Sequence, residues 1–171
     1  MKIFLRLVIL LILLVVTAYL IGSAIPAHQT HTRVITVRQT PENVFALLSD
    51  LPNFPKWNRN TVKLEMLPPI EGKEATRQTF KGNLVMTIVT SESTPPTRLV
   101  RSMGDNRGPF EGSWTYEISR TADGSQIVLT ERSTMKNPLY RLMRKMFGPT
   151  KYMDEHLQDI AKNFGETTAV H

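Results

Sequence analysis

Cysteine is absent from this 171-residue chain, which excludes disulfide bonds, thiol catalysis and cysteine-based metal sites. The sequence also lacks an HExxH motif, a GxSxG motif and a glycine-rich phosphate loop, so it does not predict the chemistries that those motifs carry. The 21 basic and 15 acidic residues give a net charge of +6, an excess too mild to favour a nucleic-acid partner. We predict neither a metal site nor a cofactor.

The longest apolar run lies at the N-terminus. Lys2 and Arg6 precede nineteen uncharged residues, Leu7–Ile25, which as a helix rising about 1.5 Å per residue nearly match a bilayer core of about 30 Å. Two alternatives are open: a retained single-pass membrane anchor over residues 1–25, or a secretory signal cleaved near Gly22–Ala24. In both, Lys2 and Arg6 favour the cytoplasmic side, so the domain that follows is expected to be periplasmic or extracellular.

After a short polar linker at residues 26–31, the residue pattern predicts an α+β domain. An alternating, β-branched stretch from Thr32 is typical of a strand, and Thr40–Glu42 is a helix-start signal with threonine as cap and proline at the first helical position. Alternation with a period of two then predicts six strands between Thr61 and Ser133.

A long helix is predicted at the C-terminus. It begins at Asn137–Pro138, is kinked or broken at Gly148–Pro149 and ends at Gly165. Before the break, apolar residues recur at spacings of three and four: Leu139, Leu142, Met143, Met146 and Phe147. After it, the expected buried stripe is Met153, Leu157, Ile160, Ala161 and Phe164. The tail at residues 166–171 has nothing to bury it and is expected to be disordered. A twisted sheet of about seven antiparallel strands can wrap around such a helix, and the space between them is either a filled core or a pocket.

Four segments resemble, in the right order, a known family. They are PENVF (41–45) with Asp50 and PKWN (55–58), PFEGSW (109–114), GSQIVLTE (124–131) and NPL (137–139). Together they are similar to the START-related SRPBCC superfamily, which includes polyketide cyclases and aromatases. The resemblance covers residues 32–165. It implies a START-like, helix-grip domain with a hydrophobic cavity for lipids, sterols, polyketides or other apolar small molecules, but the fold by itself gives no activity.

The expected cavity wall is rich in methionine and aromatic residues, which suit an apolar site because thioethers repack around ligands of different shape. The candidate ligand-binding residues are Trp57, Met86, Met103, Phe110, Trp114, Tyr116, Met143, Met146 and Phe147. The alternative is that these side chains simply fill the core. Trp57 lies in the rigid corner LSDLPNFPKWN (48–58), where it is expected to be either a plug buried against the helix or a gate beside an opening.

Two charged residues fall on strand faces that otherwise point inward. Because a lone buried charge is costly, Arg101 and Glu131 could form a polar pair in the cavity or orient a polar group of a ligand. The alternative is that the strands have twisted by that point and both side chains reach solvent at the rim of the sheet. His156 lies at the edge of the apolar stripe of the last helix and is expected to be a boundary residue rather than a general base.

A basic patch lies opposite the apolar stripe of the C-terminal helix and consists of Arg141, Arg144, Lys145 and Lys151. It is expected either to be solvated or to contact anionic lipid head groups near the anchor. The sequence therefore predicts a membrane-anchored, exported domain that binds a hydrophobic small molecule or lipid. The alternatives are a cyclase-, aromatase- or hydrolase-like enzyme acting in the cavity, and a non-catalytic interaction module with a filled core. No catalytic residue is assigned.

Overall fold

The computed structural model describes residues 2–103 and 110–171. Residues 104–109, GDNRGP, for which the sequence predicts a loop, lie outside the described part. Its first element, α1 (Lys2–Ser23), is long and apolar enough to cross a membrane, a property that membrane spans and signal sequences share. The end of α1 packs against the start of α4 (Pro138–Phe147), where a β-carbon on Gly22 would overlap the Pro138 carbonyl.

One sheet dominates the domain. The described residues form seven strands: β1 (His28–Val37), β2 (Thr61–Ile70), β3 (Lys73–Phe80), β4 (Val85–Thr94), β5 (Arg98–Met103), β6 (Phe110–Thr121) and β7 (Gly124–Met135). All neighbours are antiparallel, in the order β1-β7-β6-β5-β4-β3-β2. The predicted α+β architecture, with a seven-stranded antiparallel sheet and an apolar N-terminal helix, is confirmed.

The first helix of the domain and the corner after it follow local sequence signals. Thr40 caps α2 (Pro41–Ser49) by accepting a hydrogen bond from the backbone N–H of Asn43, and a proline occupies the first turn, where its missing N–H is not needed. A 3₁₀ turn at Leu51–Asn53 and the single-turn helix α3 (Phe54–Trp57) then build the corner.

The C-terminal helix is two helices, α4 and α5 (Lys151–Asn163). They separate at Gly148, whose φ of 97° lies in the left-handed region that favours glycine. None of the residues of α4 is buried, because this helix lies over a cavity rather than over packed side chains. The buried stripe belongs to α5 and includes Met153, Leu157, Ile160 and Ala161.

The core lies between the inner face of the sheet and the helices α2 and α5. Its main members are Ile35, Val37, Val44, Leu48, Leu99, Tyr116, Ile118, Ile127, Leu129, Met153, Leu157 and Ile160. Among the described residues, no side chain of α1 belongs to this cluster. The domain after α1 therefore has a complete hydrophobic core of its own.

The two ends of the domain are more ordered than the sequence predicts. β1 already begins at His28, inside the expected linker. The tail at residues 166–171 lies beside β1, because the N–H of Val34 donates to the His171 carbonyl (2.8 Å) and the N–H of His171 donates to the Val34 carbonyl (3.0 Å), while Val170 packs on the core. The predicted linker boundary and the predicted disorder of the tail are therefore wrong. The physical reason is that β1 is an edge strand whose outer backbone groups need partners.

Candidate functional site

A cavity of about 550 Å³ lies between the inner face of the sheet and the helices α3, α4 and α5. Small-molecule sites typically enclose about 300–1,000 Å³, so this space has the size of a ligand pocket. Six of the residues predicted to bind a ligand lie on its wall: Met86, Met103, Trp114, Tyr116, Met143 and Phe147. The apolar side chains around them include Phe54, Phe80, Leu84, Ile88 and Met135.

Two of the predicted residues have other positions, and the side chain of a third is not described. Trp57 packs edge-on against Phe54, with ring centroids 4.7 Å apart, and lies 5.5 Å from the ring of His156 on α5. It is partly buried against the core and does not line the cavity. Met146 is 73% exposed on the outer side of α4. Phe110 begins β6, and its side chain lies outside the described part of the chain.

His156 is the centre of a buried polar cluster on the cavity wall. Its Nδ1 lies 2.7 Å from Nδ2 of Asn58, and its Nε2 lies 3.0 Å from the hydroxyl of Tyr116. The imidazole is 1% exposed, so the prediction of a boundary residue is wrong. The sequence held the signal for its burial, because His156 follows Met153 by three positions and precedes Ile160 by four, which puts it within the buried stripe of α5.

The hydrogen bonds of Asn58 determine which nitrogen of His156 carries the proton. Asn58 Oδ1 accepts hydrogen bonds from the backbone N–H groups of Asn60 (3.1 Å) and Thr61 (3.0 Å) and from the Thr61 hydroxyl (3.0 Å). The amide nitrogen of Asn58 must therefore donate to Nδ1 of His156, which leaves the imidazole proton on Nε2 for donation to the Tyr116 oxygen. The hydroxyl proton of Tyr116 has no acceptor among the described side chains and remains available to a ligand.

The cluster is uncharged. Burial, helped by the charge of Arg101, lowers the pKa of His156 to about 3, and burial raises the pKa of the Tyr116 hydroxyl. Both groups therefore stay neutral near physiological pH. Because Asn58 already occupies the lone pair of Nδ1, His156 has no free nitrogen with which to accept a proton from a substrate. This arrangement suits hydrogen-bond donation into the cavity rather than acid–base catalysis.

Arg101 presents a buried cation to the same cavity. Its side chain donates through Nη2 to the carbonyl of Leu48, and its Cζ lies 5.6 Å from the centroid of the Phe54 ring, a cation–π arrangement. Its Nε is buried without a hydrogen-bond partner, and no carboxylate in the described residues forms an ion pair with it. Burial lowers the pKa of Arg101, but a guanidinium remains protonated in proteins.

Glu131 is also buried, but its hydrogen-bond partners do not include Arg101, the partner expected from the sequence. It accepts a hydrogen bond from Nη2 of Arg144 (2.5 Å) and another from Nε1 of Trp114 (3.0 Å). Strand register puts Trp114 opposite both Arg101 on β5 and Glu131 on β7. The two charges are therefore two strand spacings of about 4.8 Å apart, with an indole between them. The expectation that they pair with each other is wrong, and so is the expectation that they reach solvent at the rim.

α4 forms the mouth of the cavity. Tyr140, Met143, Phe147 and, at the start of α5, Tyr152 line the space and are also exposed on the outside. The predicted basic patch extends from α4 to the first residue of α5 and divides into two kinds of residue. Arg141 and Arg144 donate to the protein's own groups: Ile25 O, Lys136 O, Glu131 and Pro149 O. Lys145 and Lys151 are exposed to solvent.

Asp159 of α5 holds the corner that supplies Asn58. Its carboxylate is 4% exposed and accepts hydrogen bonds from the backbone N–H (2.8 Å) and from Nε (2.7 Å) of Arg59. Hydrogen bonds to charged groups contribute about 1.5–3 kcal/mol, and the partial exposure of Arg59 reduces this contribution by screening.

We expect Asp159→Asn to lower the free energy of unfolding by roughly 2 kcal/mol. Chemical denaturation of both variants measures the effect, with Asp123→Asn, which alters an exposed carboxylate, as the control. An equal loss of unfolding free energy in the two variants would contradict the prediction.

Fold and cavity together define a class, the ligand-binding helix-grip domains, in which an antiparallel sheet and C-terminal helices enclose a space for an apolar molecule. The chain belongs to the family described as polyketide cyclase / dehydrase and lipid transport, whose sequence model matches residues 28–165. This confirms the resemblance read from the four segments. No functionally curated protein matches the sequence.

Solved structures share this fold at low sequence identity. The Zhui aromatase/cyclase from a Streptomyces species is 13% identical with a TM-score of 0.65, and the match covers 78% of this chain and 91% of that one. The di-domain ARO/CYC BexL is 8% identical with a TM-score of 0.65, over 82% of this chain and 51% of BexL, so this chain spans about half of that protein. A conserved protein from Geobacillus kaustophilus is 15% identical with a TM-score of 0.64, and the match covers 84% of this chain and 99% of that one. At these identities the likeness shows the fold alone.

Proposed function

We propose that this protein is anchored in a membrane by α1 and binds a hydrophobic small molecule or lipid in the cavity between its sheet and its C-terminal helices. The observation that carries this proposal is the cavity of about 550 Å³ with its methionine, leucine and aromatic wall. Protein cores normally leave few voids larger than a water molecule. A space of this size between sheet and helices therefore acts as a binding site rather than as a packing feature.

The position of α4 gives the ligand a route. The C-terminal end of α1 packs against the first turn of α4, and Arg141 donates to the carbonyl of Ile25, just after the apolar helix. With α1 in a bilayer, the mouth of the cavity lies at the membrane surface, and the exposed apolar side chains of α4 face the lipid. Lys2 and Arg6 at the other end of α1 favour the cytoplasm, which puts the domain outside it.

An enzyme of the aromatase, cyclase or hydrolase kind is the second candidate. The names of two structural neighbours favour it, and Tyr116 offers a free hydroxyl proton inside the cavity. The neutral state of His156 and its occupied Nδ1 favour binding instead. The third candidate, an interaction module with a filled core, conflicts with the volume of the cavity.

The test is to identify what the protein carries. The full chain is reconstituted in nanodiscs of a single synthetic phosphatidylcholine, denatured, and its extract analysed by mass spectrometry, so that compounds from the host stand out against one known lipid. We expect one reproducible class of apolar compound at near-stoichiometric amount. Conversion of that compound during incubation would support the enzyme. An extract equal to that of protein-free nanodiscs would contradict the proposed binding function.

The two exposed lysines of α4 and α5 are expected to contact anionic lipid. Because the core excludes α1, residues 26–171 can be tested alone for co-sedimentation with phosphatidylglycerol vesicles. Each lysine near an anionic surface contributes about 1 kcal/mol, so Lys145→Glu with Lys151→Glu is expected to weaken binding by at least about thirtyfold, and added salt should do the same. The matched control is Lys73→Glu with Lys162→Glu, two exposed lysines elsewhere. Equal weakening by both pairs would show that only net charge matters.

A further inference from the structure

We infer that the ligand carries a single negative charge at one end, such as a carboxylate, and that Arg101 binds this charge at the buried end of the cavity. The inference rests on the proposed binding function and adds the chemical class of the ligand to it. The observations that support it are the burial of Arg101, the state of the other buried charges, and the hydrogen-bond donors beside it.

Arg101 is the one buried charge in the described residues that lacks an opposite charge. Glu131 has Arg144 at 2.5 Å, and Asp159 has Arg59 at 2.7 Å. Arg101, 7% exposed, contacts the Leu48 carbonyl and the Phe54 ring, and its Nε has no partner. The exposed carboxylate of Glu74 attracts it without forming an ion pair. An uncompensated buried charge destabilises a protein by several kcal/mol, so a bound anion explains why a cation is kept at this position.

The number of charges limits the ligand further. One unbalanced cation neutralises one negative charge, whereas a phosphate monoester near neutral pH carries between about 1.5 and 2. Arg144, a half-buried cation on the wall, already forms an ion pair with Glu131. A monoanion such as a carboxylate therefore fits the buried end of the cavity better than a phosphate.

A second donor lies beside Arg101. Strand register puts Leu99 opposite Tyr116 and Arg101 opposite Trp114, so Arg101 and Tyr116 are diagonal neighbours on the inner face of β5 and β6. The hydroxyl proton of Tyr116 is free because its oxygen already accepts from His156. The two oxygens of a carboxylate can accept one hydrogen bond from each residue. The apolar body of the ligand then extends along the methionine wall towards the mouth at α4.

The test uses three probes with one aromatic body and different head groups: naphthoate (anion), naphthamide (neutral) and naphthylmethylammonium (cation). The full chain is first freed of co-purified compound by washing in detergent and is then reassembled in phosphatidylcholine nanodiscs. Calorimetric titration, with empty nanodiscs subtracted, gives the three affinities. A charge-assisted hydrogen bond corresponds to about tenfold to a hundredfold in affinity. We expect naphthoate to bind by that factor more tightly than naphthamide, and the cation to bind most weakly.

Variants separate a head-group role from a structural one. Arg101→Met should remove the preference for naphthoate, keep the affinity for naphthamide, and leave the ligand-free protein at least as stable as the wild type. Arg101→Lys should keep a preference for the anion. Arg98→Met, which alters a partly exposed arginine of the same strand paired with Glu117, is the matched control and should change none of the ratios.

The outcomes are distinguishable. Equal affinity of the wild type for naphthoate and naphthamide would overturn the inference and leave the proposed binding function intact, and this comparison needs no variant to fold. A preference that survives in Arg101→Met would also overturn it. Binding of none of the three probes would contradict both the inference and the proposed function.

Discussion

The domain is expected to lose stability as the pH falls from about 6.5 towards about 3, because His156 is buried in its neutral form. The ordinary pKa of 6.5 applies to the unfolded chain, whereas burial lowers the pKa of His156 in the folded protein to about 3. Between these values the unfolded state binds a proton that the folded state does not. The free energy of unfolding therefore falls by up to about 1.4 kcal/mol per pH unit, or roughly 2–3 kcal/mol at about pH 4.5.

This acid sensitivity is testable by fluorescence. The two tryptophans of the chain, Trp57 and Trp114, both lie within 5.5 Å of the His156 ring, so they report its surroundings during chemical denaturation. His156→Gln should be less stable at neutral pH, because it disturbs the bonds to its two partners, but it should lose less stability on acidification. His28→Gln removes an exposed histidine and should follow the wild type. Equal pH slopes in His156→Gln and the wild type would contradict this account.

The second large effect is expected from filling the cavity. Met86 lies on the wall, and Met86→Trp adds an indole where the apolar body of a ligand would lie. We expect the affinity for naphthamide to fall at least about tenfold, the equivalent of about 1.4 kcal/mol. The free energy of unfolding should not fall, because the new ring occupies space that the surrounding side chains leave open.

The neighbouring residue supplies the control for this variant. Val85 precedes Met86 on β4 and points to the opposite face, where it is 53% exposed. Val85→Trp introduces the same side chain outside the cavity and should leave the affinity for naphthamide unchanged. Unchanged affinity in Met86→Trp, or an equal loss in Val85→Trp, would contradict the location of the site.

Much of the fold could be predicted from the sequence because the signals are local. Alternation with a period of two gave the strands, and the cap at Thr40 and the glycine at residue 148 placed a helix start and a helix break. The exposed apolar face of α4 could not be predicted, because the spacing of three and four is the same whether a helix covers a packed core or the mouth of a cavity. The order of the tail depends on the free edge of β1, which local sequence does not specify.

The site was predictable in its composition but not in its pairings. Alternation correctly put Arg101 and Glu131 on inward faces, but their partners depend on strand order, which sets Trp114 between them and brings Arg144 to Glu131. The role of His156 could not be predicted without knowing that Asn58, 98 residues earlier in the chain, directs its amide towards the imidazole. Such contacts follow from tertiary packing rather than from spacing along the chain.

The most direct test of the central claim is the amount of apolar compound that co-purifies with each protein. The wild type, Met86→Trp and Val85→Trp are purified in the same synthetic nanodiscs, and the compounds released per chain on denaturation are quantified by mass spectrometry. The cavity account predicts near-stoichiometric compound with the wild type and Val85→Trp, and a large reduction with Met86→Trp. Equal amounts from all three proteins, or none above protein-free nanodiscs, would contradict it.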